Sequence, residues 1–167
     1  MFRISRKADY AVLIMCQLAL REEDLWARSE FADAEHLPPI SAQEIATGGQ
    51  LSRALTANLM KLLTRHGLLE SVRGASGGYR LAKNPQDITL ARILAAVEGP
   101  LALVECAAHV TFDEPEPKTI DSENCALTHC CPSRRAMRVV HQRIAHLFHD
   151  INLAELIHMS TPQAATN

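Results

Sequence analysis

Glycines crowd one short basic stretch of the chain, and no other feature restricts the fold as tightly. Arg73-Gly74-Ala75-Ser76-Gly77-Gly78 separates two runs, Leu68-Leu69-Glu70-Ser71-Val72 and Tyr79-Arg80-Leu81, that alternate like short strands. Together they predict a β-hairpin whose glycine tip permits φ > 0 and close approach to a phosphate backbone. No Gly-Lys-Ser/Thr follows, so the cluster does not fit a P-loop. Directly upstream stand two short helix signatures. Ser41-Ala42-Gln43-Glu44 has capping-box spacing and opens a helix over 42–46 that stops at Gly48-Gly49. A second helix starts near Ser52, runs through Leu55, Leu59, Leu62 and Leu63 to Arg65, and ends at Gly67. Two helices about a glycine-containing turn, then a basic hairpin, predict a winged helix-turn-helix.

The remaining elements read as helices. Ile4 to Leu20 has Ala11, Ile14, Met15, Leu18 and Ala19 at helical spacing, with Asp9 near the start and Cys16 on the apolar face. The polar run from Glu22 to Pro39 reads as a connection or insertion, packed through Trp26 and Phe31. Ile88 to Val97 predicts a helix ended by Gly99-Pro100, followed by a cysteine-bearing loop from about Glu105 to Cys131. A long helix over 133–150 then carries an apolar stripe of Ala136, Val139, Val140, Ile144, Leu147, Phe148 and Ile151. Such a helix suits a homodimer interface or packing on its own subunit. Asn152 caps a last short helix through Ile157, and the tail from Ser160 reads as disordered. The expected fold class is mainly α. Residues 1–83 form the DNA-binding domain, 84–131 the linker helix and cysteine loop, 132–158 the dimerisation and terminal helices, and 159–167 a tail.

The net charge of −2 hides a segregation of charge. Leu51 to Lys83 holds six basic residues against the single acid Glu70, whereas Asn84 to Cys131 holds two basic and eight acidic residues. A local basic patch governs phosphate binding more than the total does. No apolar run reaches membrane-spanning length and no signal-peptide pattern opens the chain, which predicts a cytoplasmic protein without a membrane partner. Cytoplasmic disulfides are rare, so five cysteines, four of them between Cys106 and Cys131, read as metal ligands or redox groups. No nucleophile–base pair stands out, and neither an enzyme activity nor a small-molecule substrate is expected.

In this order the segments resemble the IscR/NsrR family of winged-helix regulators, closest to the branch that controls the SUF iron–sulfur assembly operon. The likeness rests on Met1-Phe2-Arg3-Ile4-Ser5-Arg6-Lys7-Ala8-Asp9-Tyr10-Ala11 and Gly67-Leu68-Leu69. It continues in Ser71-Val72-Arg73-Gly74-Ala75-Ser76-Gly77-Gly78-Tyr79-Arg80-Leu81, Glu98-Gly99-Pro100 leading into Glu105-Cys106, Cys125, Cys131-Pro132, and Asn152-Leu153-Ala154-Glu155-Leu156. The resemblance implies an iron–sulfur cluster, 2Fe–2S or 4Fe–4S, on Cys106, Cys125 and Cys131. Asp9 matches a position from which nitric-oxide-sensing relatives supply a carboxylate to the partner subunit; Cys130 and His129 are alternative fourth ligands. Three departures stand out. Residues 21–40 and the gap between Cys106 and Cys125 are longer than in relatives, and Arg134 falls near the histidine that completes the cluster in IscR-like members. Zinc on three cysteines plus His or Asp is the chemical rival, and nitric-oxide or redox sensing the functional one.

For operator DNA, the recognition helix presents Ser52, Arg53, Thr56, Ala57 and Asn58 to base edges or phosphates, and Lys61 to the backbone. Arg73, Gly74, Ser76, Gly77, Gly78 and Arg80 form the wing, which the resemblance places in the minor groove. Arg3, Arg6 and Lys7 add phosphate contacts from the first helix.

Overall fold

Helical periodicity builds the first element, α1 (Arg6–Ala27), whose Ala11, Ile14, Met15, Leu18 and Ala19 are all buried along one face. The computed structural model of the chain describes residues 4–27, 37–74, 76–104, 109–111, 118–120, 125–127 and 129–160. Ser5 opens α1 by accepting the Ala8 N–H at 3.2 Å. The helix continues past Leu20, where the sequence predicts a connection, because Leu25 and the glutamates of its last turns are good helix formers. The rest of that predicted connection, 28–36, lies outside the described residues, as does the tail beyond Ser160.

The capping box at Ser41 is formed. Its hydroxyl accepts the Glu44 N–H at 3.2 Å, and the Glu44 carboxylate accepts the Ser41 N–H at 2.9 Å. It opens α2 (Ala42–Gly48), and Ser52 caps α3 (Arg53–Arg65) by accepting the Leu55 N–H at 3.3 Å. The turn between them takes its positive φ at Gln50, 52°, and not at a glycine. Ser41→Ala is expected to cost about 0.5–2 kcal/mol of stability, read as a lowered urea midpoint with an unchanged slope.

The hairpin forms as β1 (Leu69–Val72) and β2 (Gly78–Leu81), antiparallel, with Leu69 opposite Leu81 and Val72 opposite Gly78. A single residue adds a third line of pairing: Ile40 N–H donates to Tyr79 at 2.9 Å and Tyr79 N–H donates back at 2.8 Å. Two tip glycines are required by packing. A Cβ on Gly78 would stand 2.5 Å from the Ile40 carbonyl oxygen, and one on Gly77 2.5 Å from that of Val72.

A 3-10 turn, Pro85–Asp87, leads into α4 (Leu90–Glu98), capped by Thr89. Beyond it, β3 (His109–Thr111) and β4 (Lys118–Ile120) pair antiparallel inside the segment the sequence predicts as plain loop. Then follow α5 (Arg134–Asp150) and α6 (Leu153–Ser160). Asn152 caps α6 by accepting the Glu155 N–H at 2.9 Å. It also pairs with Thr89, and Leu153 N–H donates to Ile88 while Leu90 N–H donates to Ile151, both at 2.8 Å. Leu153 and Ile157 thereby join Ile14, Met15, Leu59, Leu63 and Ile93 in one core.

The stripe predicted on α5 divides between two faces. Phe148 of that stripe lies against Ala91 of α4 and Ala145, a buried position that the stripe did not include. Val139, Val140 and Leu147 are exposed, at 50%, 44% and 55%.

Candidate functional site

Recognition by a helix needs polar groups on its outer face, and α3 supplies them by period. Leu59, Met60 and Leu63 are buried, which turns Arg53, Ala54, Asn58, Lys61 and Arg65 outward. Ala57 is half-buried at the edge of this face. Ala54 and Arg65 extend it by the three- and four-residue period, which was readable once the apolar positions are fixed. Ser52 lies at its start, its hydroxyl engaged as the N-cap. Thr56 corrects the sequence expectation. It is fully buried, and its hydroxyl donates to the Ser52 carbonyl at 3.1 Å, so it lies under the helix and not on the outer face.

In the wing Arg73, Gly74 and Ser76 are exposed, with Gly74 at φ 127°. Gly77 and Gly78 are half-buried and held by the close approaches described above. Arg80 faces Glu70 across the ladder, with Nε and Nη2 each 3.0 Å from Oε2, so its guanidinium is already committed within the hairpin. Lys7 is likewise engaged, donating to the Val97 carbonyl at the end of α4 at 2.7 Å, a favourable place for a cation. Arg6 is exposed, and Arg3 lies outside the described residues. The exposed cations Arg53, Lys61, Arg65, Arg73 and Lys83 thus fall on the recognition helix and its wing.

The cysteine site is described in part. Cys106 lies outside the described residues. Cys125 and Cys131 are half-buried ahead of α5, while Cys130 and His129 are exposed. A tight turn holds the second pair: Cys130 and Cys131 N–H both donate to the Leu127 carbonyl, at 3.1 and 2.9 Å. The Ser133 hydroxyl, 3.3 Å from Cys131 Sγ, pulls that thiol below its usual range, helped by the Ser133 and Arg134 backbone and opposed by slight burial. A thiolate-favouring setting suits metal ligation. Asp9 is exposed in the first turn of α1. Among the described residues no three His, Cys, Asp or Glu side chains come together.

His141 of α5 meets the described residues that follow α4. It is fully buried, and its Nδ1 accepts the Leu103 N–H at 3.4 Å. Its Nε2 has no partner among the described residues. Burial pushes its pKa down, so the folded protein holds it neutral. The unfolded chain binds the proton more readily, so this stability is present above the ordinary His range near about 6.5 and is lost as pH falls through the lowered folded value. His141→Leu is expected to shrink the drop in Tm between about pH 7.5 and about pH 5.5.

Recognition helix, wing and outward cations define a winged helix-turn-helix DNA-binding transcription regulator. The chain belongs to the Rrf2 family, described as iron-dependent transcriptional regulators, whose model matches residues 4–159. It is 26% identical over 155 residues to the HTH-type transcriptional regulator IscR of Yersinia pestis, covering 93% of this chain and 79% of that one. It is 34% identical over 103 residues to CymR of Bacillus subtilis, covering 62% and 65%. The solved structure of B. subtilis CymR, described as the global cysteine regulator, superposes with a TM-score of 0.65 at 25% identity, covering 95% of this chain and 98% of that one. That of IscR from T. potens shares the fold, with a TM-score of 0.63 at 24% identity and coverage of 95% and 88%. No helix of the described residues is long and apolar enough to cross a membrane.

Proposed function

We propose that the protein is a homodimeric regulator whose grip on double-stranded operator DNA depends on an iron–sulfur cluster held by Cys106, Cys125 and Cys131. Arg53, Asn58 and Lys61 on α3 and Arg73, Gly74 and Ser76 in the wing make the DNA contacts, and iron–sulfur assembly genes of the SUF type are the targets. The observation that carries this reading is the setting of Cys131, a thiol primed by Ser133 in the turn that leads directly into α5. Cysteine thiolates are the usual holders of such clusters. The cluster, when bound, supplies a link between thiolates that oxidants and iron loss can break. The residues around it do the rest: Ser133 favours the thiolate, the Leu127 carbonyl fixes the turn, and His141 ties Leu103 to α5. The exposed Val139, Val140 and Leu147 offer the second copy an apolar face. A carboxylate from Asp9 of the second copy, Cys130 or His129 completes the ligand set.

Arg134, where a histidine ligand would fall, favours a second reading: a regulator without a cluster, similar to CymR, which is described as the global cysteine regulator of B. subtilis. Anaerobic purification separates the two. A brown protein with iron and sulfide, whose apo form shifts its promoter fragment differently in a gel, is the expected result. A colourless protein with stoichiometric zinc overturns the cluster. For the DNA side, Arg73→Ala is expected to weaken binding and make its salt dependence shallower by about one unit of slope. Affinity unchanged at every salt concentration would remove the wing from the interface.

A further inference from the structure

The wing strand β2 has an edge that no strand completes among the described residues. Ile40 pairs with Tyr79 through two backbone hydrogen bonds. Continuing that antiparallel register by two residues would set Pro38 opposite Leu81, and a proline has no N–H to give. The half of that pair a proline could still make, Leu81 N–H to the Pro38 carbonyl, is taken up by α1 instead. The Pro38 carbonyl accepts from Arg21 Nη1 at 2.6 Å, and the Leu81 N–H donates to Glu22 Oε1 at 3.0 Å. Two adjacent side chains thus replace the one backbone hydrogen bond that Pro38 and Leu81 could have made.

We propose that Arg21 and Glu22 form a clasp that stands in for the missing strand pair and sets the wing against the recognition helix, making both positioning residues for DNA binding. The inference rests on the reading of α3 and the wing as the DNA interface. Three elements meet at the clasp. Glu22 and Arg21 belong to α1, Leu81 ends the wing, and the Pro38–Ile40 segment runs into Ser41, the cap of α2. α2 in turn packs on α3, so the angle of the wing to the groove-facing helix is fixed through this junction. A helix and a wing that must reach two grooves at once lose contacts when that angle wanders.

The environment agrees with a half-buried acceptor. Burial pushes the Glu22 carboxyl above the usual range, while the Leu81 N–H and the guanidinium groups of Arg21 and Arg80 pull it back. A glutamine keeps the carbonyl oxygen that Leu81 needs and discards the charge, whereas alanine removes both.

The test measures wild type, Glu22→Ala and Glu22→Gln against a labelled duplex carrying the region upstream of the protein's own gene, over a range of salt. Amide exchange at Leu81 is followed in parallel. Glu22→Ala is expected to bind about tenfold more weakly, with a shallower salt slope as wing–phosphate contacts are lost, and to exchange Leu81 faster. Glu22→Gln restores all three. Should Glu22→Ala not fold, Arg21→Ala applies the same test from the Pro38 side. Wild-type affinity and slope in Glu22→Ala overturn the clasp, as do equal defects in the alanine and glutamine variants. A wild-type protein that binds neither this duplex nor a scrambled one overturns the DNA-interface reading instead.

Discussion

Gly78→Val is expected to leave the helices formed and to abolish operator binding. The site has no room for any Cβ: one built there lies 2.5 Å from the Ile40 oxygen, 2.7 Å from its carbonyl carbon and 3.1 Å from the Ser41 nitrogen. All three are backbone atoms, so no side chain can swing away. The Ile40–Tyr79 pair must part, which releases the wing and disturbs the cap of α2 together. Overpacking of this kind costs about 1–3 kcal/mol, enough to displace a hairpin and too little to dissolve the core. Helical circular dichroism close to wild type with no gel shift at any accessible concentration is the predicted outcome. Gly67→Ala is the control, because a Cβ there meets nothing within 4 Å and only its φ of 67° is strained. If Gly78→Val bound DNA like wild type, the wing would not be part of the interface.

On the proposed cluster reading, Cys131→Ala is expected to lose visible absorbance and bound iron and sulfide from anaerobic protein. The proposed ligand set rests on three cysteines, and this one has the thiolate-favouring Ser133 beside it. Ser133→Ala is the graded companion. It leaves every ligand in place but withdraws the hydroxyl, so the cluster forms and is lost faster on exposure to air. A Cys131→Ala protein that keeps its full spectrum would assign the ligands elsewhere.

The order of elements was legible because it is written in local signals: the box at Ser41 and Glu44, the cap at Asn152, the glycine tip, the apolar period of α1. What escaped depends on contacts between elements. The stretch after Leu20 looks like a polar connection, yet Glu22 is where α1 grips the wing. Thr56 is polar by type, but its hydroxyl is satisfied inside its own helix at Ser52, which lets the residue be buried. Arg80 looks like a phosphate ligand until Glu70 is placed opposite it in register. The stripe on α5 is continuous in sequence and divided in space, because α4 covers only one side of the helix. Arg73, Asn58 and Lys61 remain outward as expected. Of the cysteine loop, the spacing was visible and the turn at Leu127 was not.

The return of α6 to the first core has a consequence for synthesis. Leu153 and Ile157 close the same interior as Ile14 and Leu63, and the strand-like bridge at Asn152 seals Thr89. The recognition unit therefore is not finished when the ribosome has made its wing. A nascent chain has to emerge through the cysteine segment and α5 before the interior closes, although domains otherwise tend to fold from the N-terminus as they are made. Every molecule able to hold DNA firmly is thus one that already carries its cysteines.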